Sequence, residues 1–440
     1  MPVILLVAGT GLYLTILLRG LQFRRLAQAL SMALLQRDEP DAAGDISHFQ
    51  ALMTALGTTV GTSHIIGVAM AITAGGPGAL FWIWVAGFVG MATKYSEAIL
   101  GVRFRETNRN GEKSGGPMYY LENGIRWGRL GRGLAVAFAL FASMAAFGIG
   151  NGVPSQAIAE AMSNVTGFPV FGVGVVTALL AGVVIFGGIK SIGRFAGLVI
   201  PVMLIAYVGV AVWVIFQHAE AVPAAFRAIF EGAFTGRAAG GGVAGYTIGQ
   251  ALRSGLTRGV FSSESGLGTG GIAAAAARTH EPVRQALISM TQTFIDTIVI
   301  CTLTGLVLLT TGAWTSGADG ASLAQIAFST SLPGSLGSWF VAVSLSCFAF
   351  STILGWAYYG ERNLQYLAGA RVVVPYRLAF VLVIAAASTA RLDAVWMVSE
   401  VMNVMMAFPN LIGLVLLSGI VVRETRNYFN RPTDQPSKRR

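Results

Sequence analysis

The chain is 440 residues long, 54% hydrophobic and only 11% charged, against roughly 25% charged in an ordinary soluble domain. That composition excludes a soluble enzyme and implies an integral protein of the lipid bilayer. The net charge of +10 does not point to nucleic acid, because Lys and Arg accumulate in the cytoplasmic loops of membrane proteins.

In chain order, eleven apolar segments are expected to span, at about 2–20, 47–73, 77–102, 133–162, 168–188, 195–217, 244–276, 285–312, 335–360, 376–390 and 395–422. Most reach the ~20 residues that a helix needs to cross the hydrocarbon, and the tenth is short. The first segment carries its arginines (Arg19, Arg24, Arg25) after the apolar run. It therefore does not read as a signal peptide, and its N-terminus is expected outside. On that orientation 24 of the 30 basic residues fall in cytoplasmic loops and the tail, and 3 (Arg227, Arg237, Arg391) fall outside. The bias supports an odd number of crossings with the C-terminus in the cytoplasm, in a cell inner membrane. Both cysteines, Cys301 and Cys347, fall within apolar segments, so neither a disulfide framework nor metal-ligand spacing is implied.

Two segments are interrupted. Gly57-Thr58-Thr59-Val60-Gly61-Thr62-Ser63-His64-Ile65-Ile66-Gly67 breaks the second, and Phe261-Ser262-Ser263-Glu264-Ser265-Gly266-Leu267-Gly268-Thr269-Gly270-Gly271 breaks the seventh. A backbone N–H or C=O that leaves a helix inside lipid has no water to bond, so such breaks survive only where they are buried in protein or line a cavity. Two breaks at corresponding places in two halves are a pointer to a transporter's binding site. Setting aside the first helix, each break opens a block of five, and an odd block length makes the two blocks inverted repeats. The expected organisation is an all-α polytopic membrane protein: residues 1–46 an extra helix and cytoplasmic loop, 47–217 and 218–422 the two repeats, and 423–440 a basic tail.

In the first break, amides at Gly61, Thr62 and Ser63 start a half-helix, where free N–H groups and the positive dipole end suit a carboxylate. The carbonyls of Gly57 and Val60 end the preceding half-helix and suit a cation. The alternative is that these glycines only permit close helix packing. In the second break Phe261 could cover a substrate, and backbone groups around Ser263 and Gly266 could hold its amino group, unless the loop merely packs. Glu264, a carboxylate at membrane depth, is paired or functional: it either bonds hydroxyls and amides of its own loop or meets the ligand. Gln285, Ser289, Gln292 and Asp296 recur at helical spacing and form a polar stripe expected to face the bundle, with Asp296 either structural or coupling. Asn151 and Gln156 need partners from a ligand or a neighbouring helix. Lys94 and Glu97, three apart, are expected to pair with each other or to reach an interface.

Several runs resemble the alanine or glycine:cation symporter family: Val60-Gly61-Thr62, Gly75-Gly76-Pro77-Gly78-Ala79-Leu80-Phe81-Trp82, Gly115-Gly116-Pro117-Met118-Tyr119-Tyr120, Phe147-Gly148-Ile149-Gly150-Asn151, Ser263-Glu264-Ser265-Gly266, Phe294-Ile295-Asp296-Thr297 and Phe350-Ser351-Thr352-Ile353-Leu354-Gly355-Trp356. The resemblance implies a leucine-transporter fold, sodium as coupling ion and a small neutral amino acid as substrate. It also implies a sodium ligand set of the Gly57, Val60 and Phe348 carbonyls with the Ser351 and Thr352 hydroxyls, and it places the helix of Asn151 and Gln156 beside the substrate. Five neutral oxygens can replace the hydration shell of a monovalent cation; the alternative for the hydroxyls is bonding to their own helix.

The chain departs from the family pattern near that pocket. Ser63 and His64 stand where Gly and Asn are usual, and Ser262 and Ser265 where Asn and Ala are usual. These changes bear on the substrate more than on the fold. His64 could admit proton coupling, since histidine changes charge near neutral pH, or it is a hydrogen-bonded structural residue. A membrane enzyme would need paired carboxylates or a histidine cluster, and His48, His64, His218 and His280 are scattered. A passive channel would need no coupling ion.

Overall fold

The computed structural model describes residues 2–35, 41–108, 111–235, 247–390 and 392–430. Helix α1 (Pro2–Leu17) stops where Arg19 and Gly20 both turn left-handed, with φ of 57° and 63°. A short amphipathic helix, Leu26–Leu35, leads back towards the bundle. Helix α2 (His48–Thr59) opens on a capping box: the Ser47 hydroxyl takes the Gln50 amide while the Gln50 side chain takes the Ser47 amide. The first break follows, and α3 (Ser63–Gly75) leaves it bent by 53° from α2.

Next come α4 (Ala79–Arg103), α5 (Gly128–Thr166), α6 (Val170–Phe186) and α7 (Gly188–Gln217). Helix α8 (Ile248–Ser263) opens on a second capping box, built by Thr247 and Gln250, so both broken helices start in the same way. After the second break come α9 (Thr269–Ala275), α10 (Pro282–Thr310), α11 (Leu336–Ala368), α12 (Val373–Ala387), α13 (Leu392–Leu416) and α14 (Ser418–Phe429). A two-stranded antiparallel hairpin, β1 (Glu106–Thr107) with β2 (Lys113–Ser114), lies between α4 and α5.

Among the described residues six helices are long and apolar enough to cross a membrane, or seven if the bent pair α2/α3 counts as one span. The other expected segments are helical too, but two of them hold charged groups: Lys94 and Glu97 in α4, and Arg253 and Arg258 in α8. The expected eleventh segment ends at Leu416 rather than at 422, and the chain turns there into the separate helix α14. The ten residues after Asn430, most of the expected basic tail, lie outside the described residues.

The breaks sit inside, with much of α10 and α11 beside them, and the less buried apolar helices form the outside. Every residue of α9 is buried, whereas α7 turns Leu198 and Ile205 outward, 71% and 74% exposed. Apolar side chains facing outward around a polar, buried centre are what lipid on the outside demands. Among the described residues three helices contain a π-wound turn: α3 at Ser63–Gly67, α5 at Gly148–Gly152 and α10 at Phe294–Ile300. The one in α5 precedes Pro154, which has no N–H to give to the turn before it. These turns contain His64, Asn151 and Asp296, three residues singled out from sequence alone.

Candidate functional site

Helix α11 crosses the first break at very short range because Gly355 has no side chain there; a Cβ on it would lie 1.9 Å from Thr58 Cγ2. That approach delivers two hydroxyls to the break. Ser351 Oγ donates to the Gly57 carbonyl at 2.8 Å or the Phe348 carbonyl at 2.7 Å. Thr352 Oγ1 lies 3.2 Å from the carbonyls of Gly57, Thr58 and Phe348. Each hydroxyl has one proton, so these are alternatives, and the oxygens form a cluster richer in lone pairs than in donors. Four members of the expected sodium set, Gly57, Phe348, Ser351 and Thr352, are therefore adjacent. Val60 ends α2 with ψ of 88°, which takes its carbonyl off the helix ladder. Serine and threonine here bond to another helix as well as to their own.

Beside this cluster the first turn of α3 begins. Gly61 packs against Thr352, where a Cβ would meet Oγ1 at 2.5 Å, so Thr62 and Ser63 follow directly from the carbonyl and hydroxyl cluster. The opening amides of a helix have no carbonyl behind them in the same helix. Thr62 is buried and Ser63 half-buried, which leaves the Ser63 end of the turn open. His64, next in the chain, is completely buried.

The second break is held quite differently. Glu264 takes a left-handed backbone, φ 50°, as do Gly266 and Gly268 at 91° and 85°. Its carboxylate accepts from Trp356 Nε1 of α11 and from Thr269 Oγ1 of α9, both at 2.8 Å, so its oxygens serve the loop and its neighbour. Lys94 and Glu97 do not chiefly serve one another, as spacing suggested: Lys94 Nζ donates to the Glu264 carbonyl at 3.3 Å, and Glu97 Oε1 accepts the amides of Gly266 and Gly268, each at 3.0 Å. Asn410 of α13 donates to Glu97 Oε1 and to the Gly266 carbonyl, each at 2.9 Å, and itself accepts from the Tyr120 hydroxyl. Both backbone groups of Gly266 are thus engaged by α4 and α13, and this glycine, expected beside the substrate's amino group, also abuts Val7 of α1. Phe261 and Ser263 end α8 in buried positions, with Ser263 Oγ turned to the Val260 carbonyl at 3.3 Å.

The two amides of α5 part ways. Asn151 is fully buried and donates to the Phe380 carbonyl of α12 at 2.8 Å, so the neighbouring helix supplies its partner. Gln156 bonds Glu160 one turn on, at 2.8 Å. The stripe on α10 does face the bundle: Gln285 meets His48 Nδ1, Gln292 Nε2 donates to Thr59 Oγ1 at 3.1 Å, and Asp296 accepts from Thr297. It runs along the broken helix from its capping box to the break.

The two ends of the bundle differ. On the side where α3 ends and α8 begins, a cavity of 390 Å³ is lined by Met70, Thr73, Arg253, Thr257, Arg258 and Asp319 among others. At the opposite side the chain is stitched across. Arg105 donates to the carbonyls of Ala43, Ala275, Ala277 and Thr279 at 2.7–3.1 Å, tying the chain before α2 to the end of α9. Ile46 and Ala277 form a parallel bridge there. Glu112 of the hairpin loop reaches Arg362 at 2.5 Å. Burial pushes the Glu112 carboxyl up, but the Arg362 charge outweighs it, so the group sits below the ordinary carboxylate range. Among the described residues no group of three or more His, Cys, Asp or Glu could hold a metal ion, and the oxygens gathered where α11 meets the first break are carbonyls and hydroxyls.

The description "Sodium:alanine symporter family" matches residues 1–439 of the chain. The sodium/alanine symporter AgcS of Methanococcus maripaludis is 47% identical over 97% of this chain and 93% of its own length. An uncharacterized transporter of Haemophilus influenzae is also 47% identical, over 98% of this chain and 93% of its own length. Among solved structures, MhsT in complex with L-phenylalanine has a TM-score of 0.58 at 12% identity, covering 84% of this chain and 88% of its own. A mutant of the Eremococcus coleocola manganese transporter has a TM-score of 0.54 at 13% identity, covering 88% of this chain and 89% of its own. At such identities these structures speak for the fold alone, the leucine-transporter fold. The chain belongs to the sodium:alanine symporter family.

Proposed function

We propose that this chain carries a small neutral amino acid of the alanine type together with sodium, by alternating access, across a cell inner membrane. Membership of that family makes it a transporter and not an enzyme. The observation that carries the site assignment is the convergence of Ser351 and Thr352 on the Gly57 carbonyl. It joins two helices about three hundred residues apart in sequence at the point where the backbone leaves α2.

Sodium then rests on the Gly57, Val60 and Phe348 carbonyls and the two hydroxyl oxygens, each hydroxyl turning its proton away. The substrate carboxylate sits on the amides of Gly61, Thr62 and Ser63, at the positive end of α3. Phe261 covers the amino acid, the carbonyl side of Ser263 faces its ammonium group, and Gln156 closes the far wall. Asn151 positions that wall through α12, and Gly266 holds the second break in shape. Cation and carboxylate share one three-residue break, so ordering Gly57 and Val60 around sodium pre-orders the amides that follow. That is coupling: the first ligand removes an ordering cost from the second. The open cavity on one side and the stitched chain on the other support an access state open to one face. The reading includes eleven crossings in two inverted blocks of five, with the N-terminus outside.

Uptake of labelled alanine into proteoliposomes, with and without an inward sodium gradient at fixed pH, tests it. Sodium-driven accumulation is expected. Accumulation driven by a proton gradient in sodium-free buffer would instead put the coupling on a titrating group such as His64.

A further inference from the structure

We infer that the junction of α1 with α14 is a binding site for the phosphate headgroup of an anionic phospholipid of the cytoplasmic leaflet. The inference rests, for its leaflet, on the orientation proposed above. The junction holds a pocket of 230 Å³ into which Arg19, Arg24, Arg25 and Arg426 converge over Leu21 and Phe429. No part of the transport mechanism uses it.

Four features give the pocket its chemistry. First, its charge is uncompensated: among the described residues Arg19, Arg24 and Arg426 form no ion pair, and Glu424, the acid on α14, is engaged with Arg103 at 3.4 Å. Secondly, its shape is fixed: the Tyr13 hydroxyl meets Ser418 Oγ at 3.0 Å, and the Arg25 guanidinium lies 4.4 Å from the centre of the Phe429 ring. Thirdly, Arg19 is held in a left-handed conformation that a side-chain-bearing residue seldom adopts. Finally, the arginines share the pocket with Leu17, Leu18, Leu21, Val422 and Phe429, and on the same two helical segments Ile16, Leu12 and Phe23 are 70%, 52% and 58% exposed, an apolar surface suited to the bilayer. A soluble anion would have no use for that greasy approach, whereas an acyl chain lies along it while its phosphate enters the basic end. Basic pockets between helices at the cytoplasmic surface are the usual recognition element for such headgroups.

The full-length protein, purified in detergent and stripped of lipid, should rise in Tm saturably with phosphatidylglycerol and not with phosphatidylcholine. The triple variant Arg19→Gln/Arg24→Gln/Arg426→Gln should require more phosphatidylglycerol for the same rise, on the order of fivefold more per arginine removed. The external Arg227→Gln should respond as the unaltered protein does. An equal rise with phosphatidylcholine, or a triple variant that responds like the parent, overturns the inference. Potassium phosphate giving the same rise overturns the lipid and leaves a soluble phosphate ligand. Should the triple variant not fold, Arg426→Gln alone, read by crosslinking of a photoreactive phosphatidylglycerol, decides the same question through loss or retention of labelling. These measurements are made without a membrane, so they do not depend on topology. Labelling of Asn430→Cys by an impermeant maleimide from outside intact cells would refute the orientation separately.

Discussion

The two breaks differ in what their backbones do. The second is anchored from several helices: Glu97 takes two of its amides, Lys94 and Asn410 each engage one of its carbonyls, and Trp356 and Thr269 hold the Glu264 carboxylate. The first is touched by two hydroxyls at its carbonyl end, while its amide end opens a new helix. A backbone whose polar groups are already engaged by protein side chains acts as a frame. One whose groups await partners can take ligands. On the function proposed above, similar glycine-rich interruptions, each after a helix with the same capping box, serve chiefly as frame in one half and as the cation and carboxylate site in the other.

The comparison breaks most visibly at Glu97. Removing its carboxylate in Glu97→Ala leaves two amides and the Asn410 side chain without an acceptor in a fully buried place, at about 3–5 kcal/mol. Loss of folded protein, or a large fall in Tm in detergent, is expected. A variant with the parent's Tm would show that the second break keeps its form without that anchor. By contrast, Ser351→Ala/Thr352→Ala removes two of the five proposed cation oxygens from a place packed mainly by glycine and apolar groups. The protein should accumulate, and the sodium concentration for half-maximal uptake should rise roughly 30- to 150-fold, at about 1–1.5 kcal/mol per oxygen. An unchanged sodium dependence in that double variant would remove the cation from the first break.

A smaller effect is expected when one serine of each break is replaced. Ser63→Leu fills the half-buried end of the first turn of α3 and should weaken alanine affinity by about tenfold or more, with near-normal expression, since a carboxylate on the neighbouring amides leaves little room. Ser265→Ala, in the frame, gives up a 3.4 Å contact with Thr293 and should cost about 1 kcal/mol of stability with alanine affinity kept. Direct binding measurements on both variants give the answer. Equal loss of affinity at the two serines would erase the distinction between site and frame.

The breaks were legible in the sequence because lipid forbids loose backbone, so glycine and serine in an apolar segment stand out. The polar stripe of α10 was legible for the same reason, through its spacing. The division of labour was not, because it depends on partners distant in sequence: Glu97 and Lys94 read as a local pair at i and i+3, while the residues they engage lie about 170 positions on. An unexplained ion pair inside a span was the available signal. So was the repetition of Ser47-x-x-Gln50-Ala51-Leu52 in Thr247-x-x-Gln250-Ala251-Leu252, which marks the start of both broken helices. Asn410 follows Pro409 inside α13, and nothing local in that helix announces Glu97 as its partner. The π-wound turns were not read from the sequence either, although Pro154 stands just after the one in α5.

The smallest expected effect sharpens the contrast between the two ends of the bundle, through Glu112 and Arg362. Glu112 lies in a loop outside the bilayer, and its carboxyl sits below its ordinary value because the attraction of Arg362 exceeds the cost of its burial. A depressed folded-state pKa stabilises the folded state above the unfolded pKa, and that contribution disappears as pH falls through the folded value. Arg362 stays charged throughout. The difference in Tm between the parent and Glu112→Gln should therefore be present near neutral pH, at about 1 kcal/mol for a partly exposed carboxylate. It should shrink as pH drops below the ordinary carboxylate range and vanish once Glu112 is protonated. Because the contact ties the hairpin loop to α11 on the stitched side only, Glu112→Gln should also speed modification of a cysteine placed at Arg278, and leave one placed at Thr73 in the open cavity unaffected. Equal changes at both positions would mean that the contact supports the fold as a whole and has no part in closing one face.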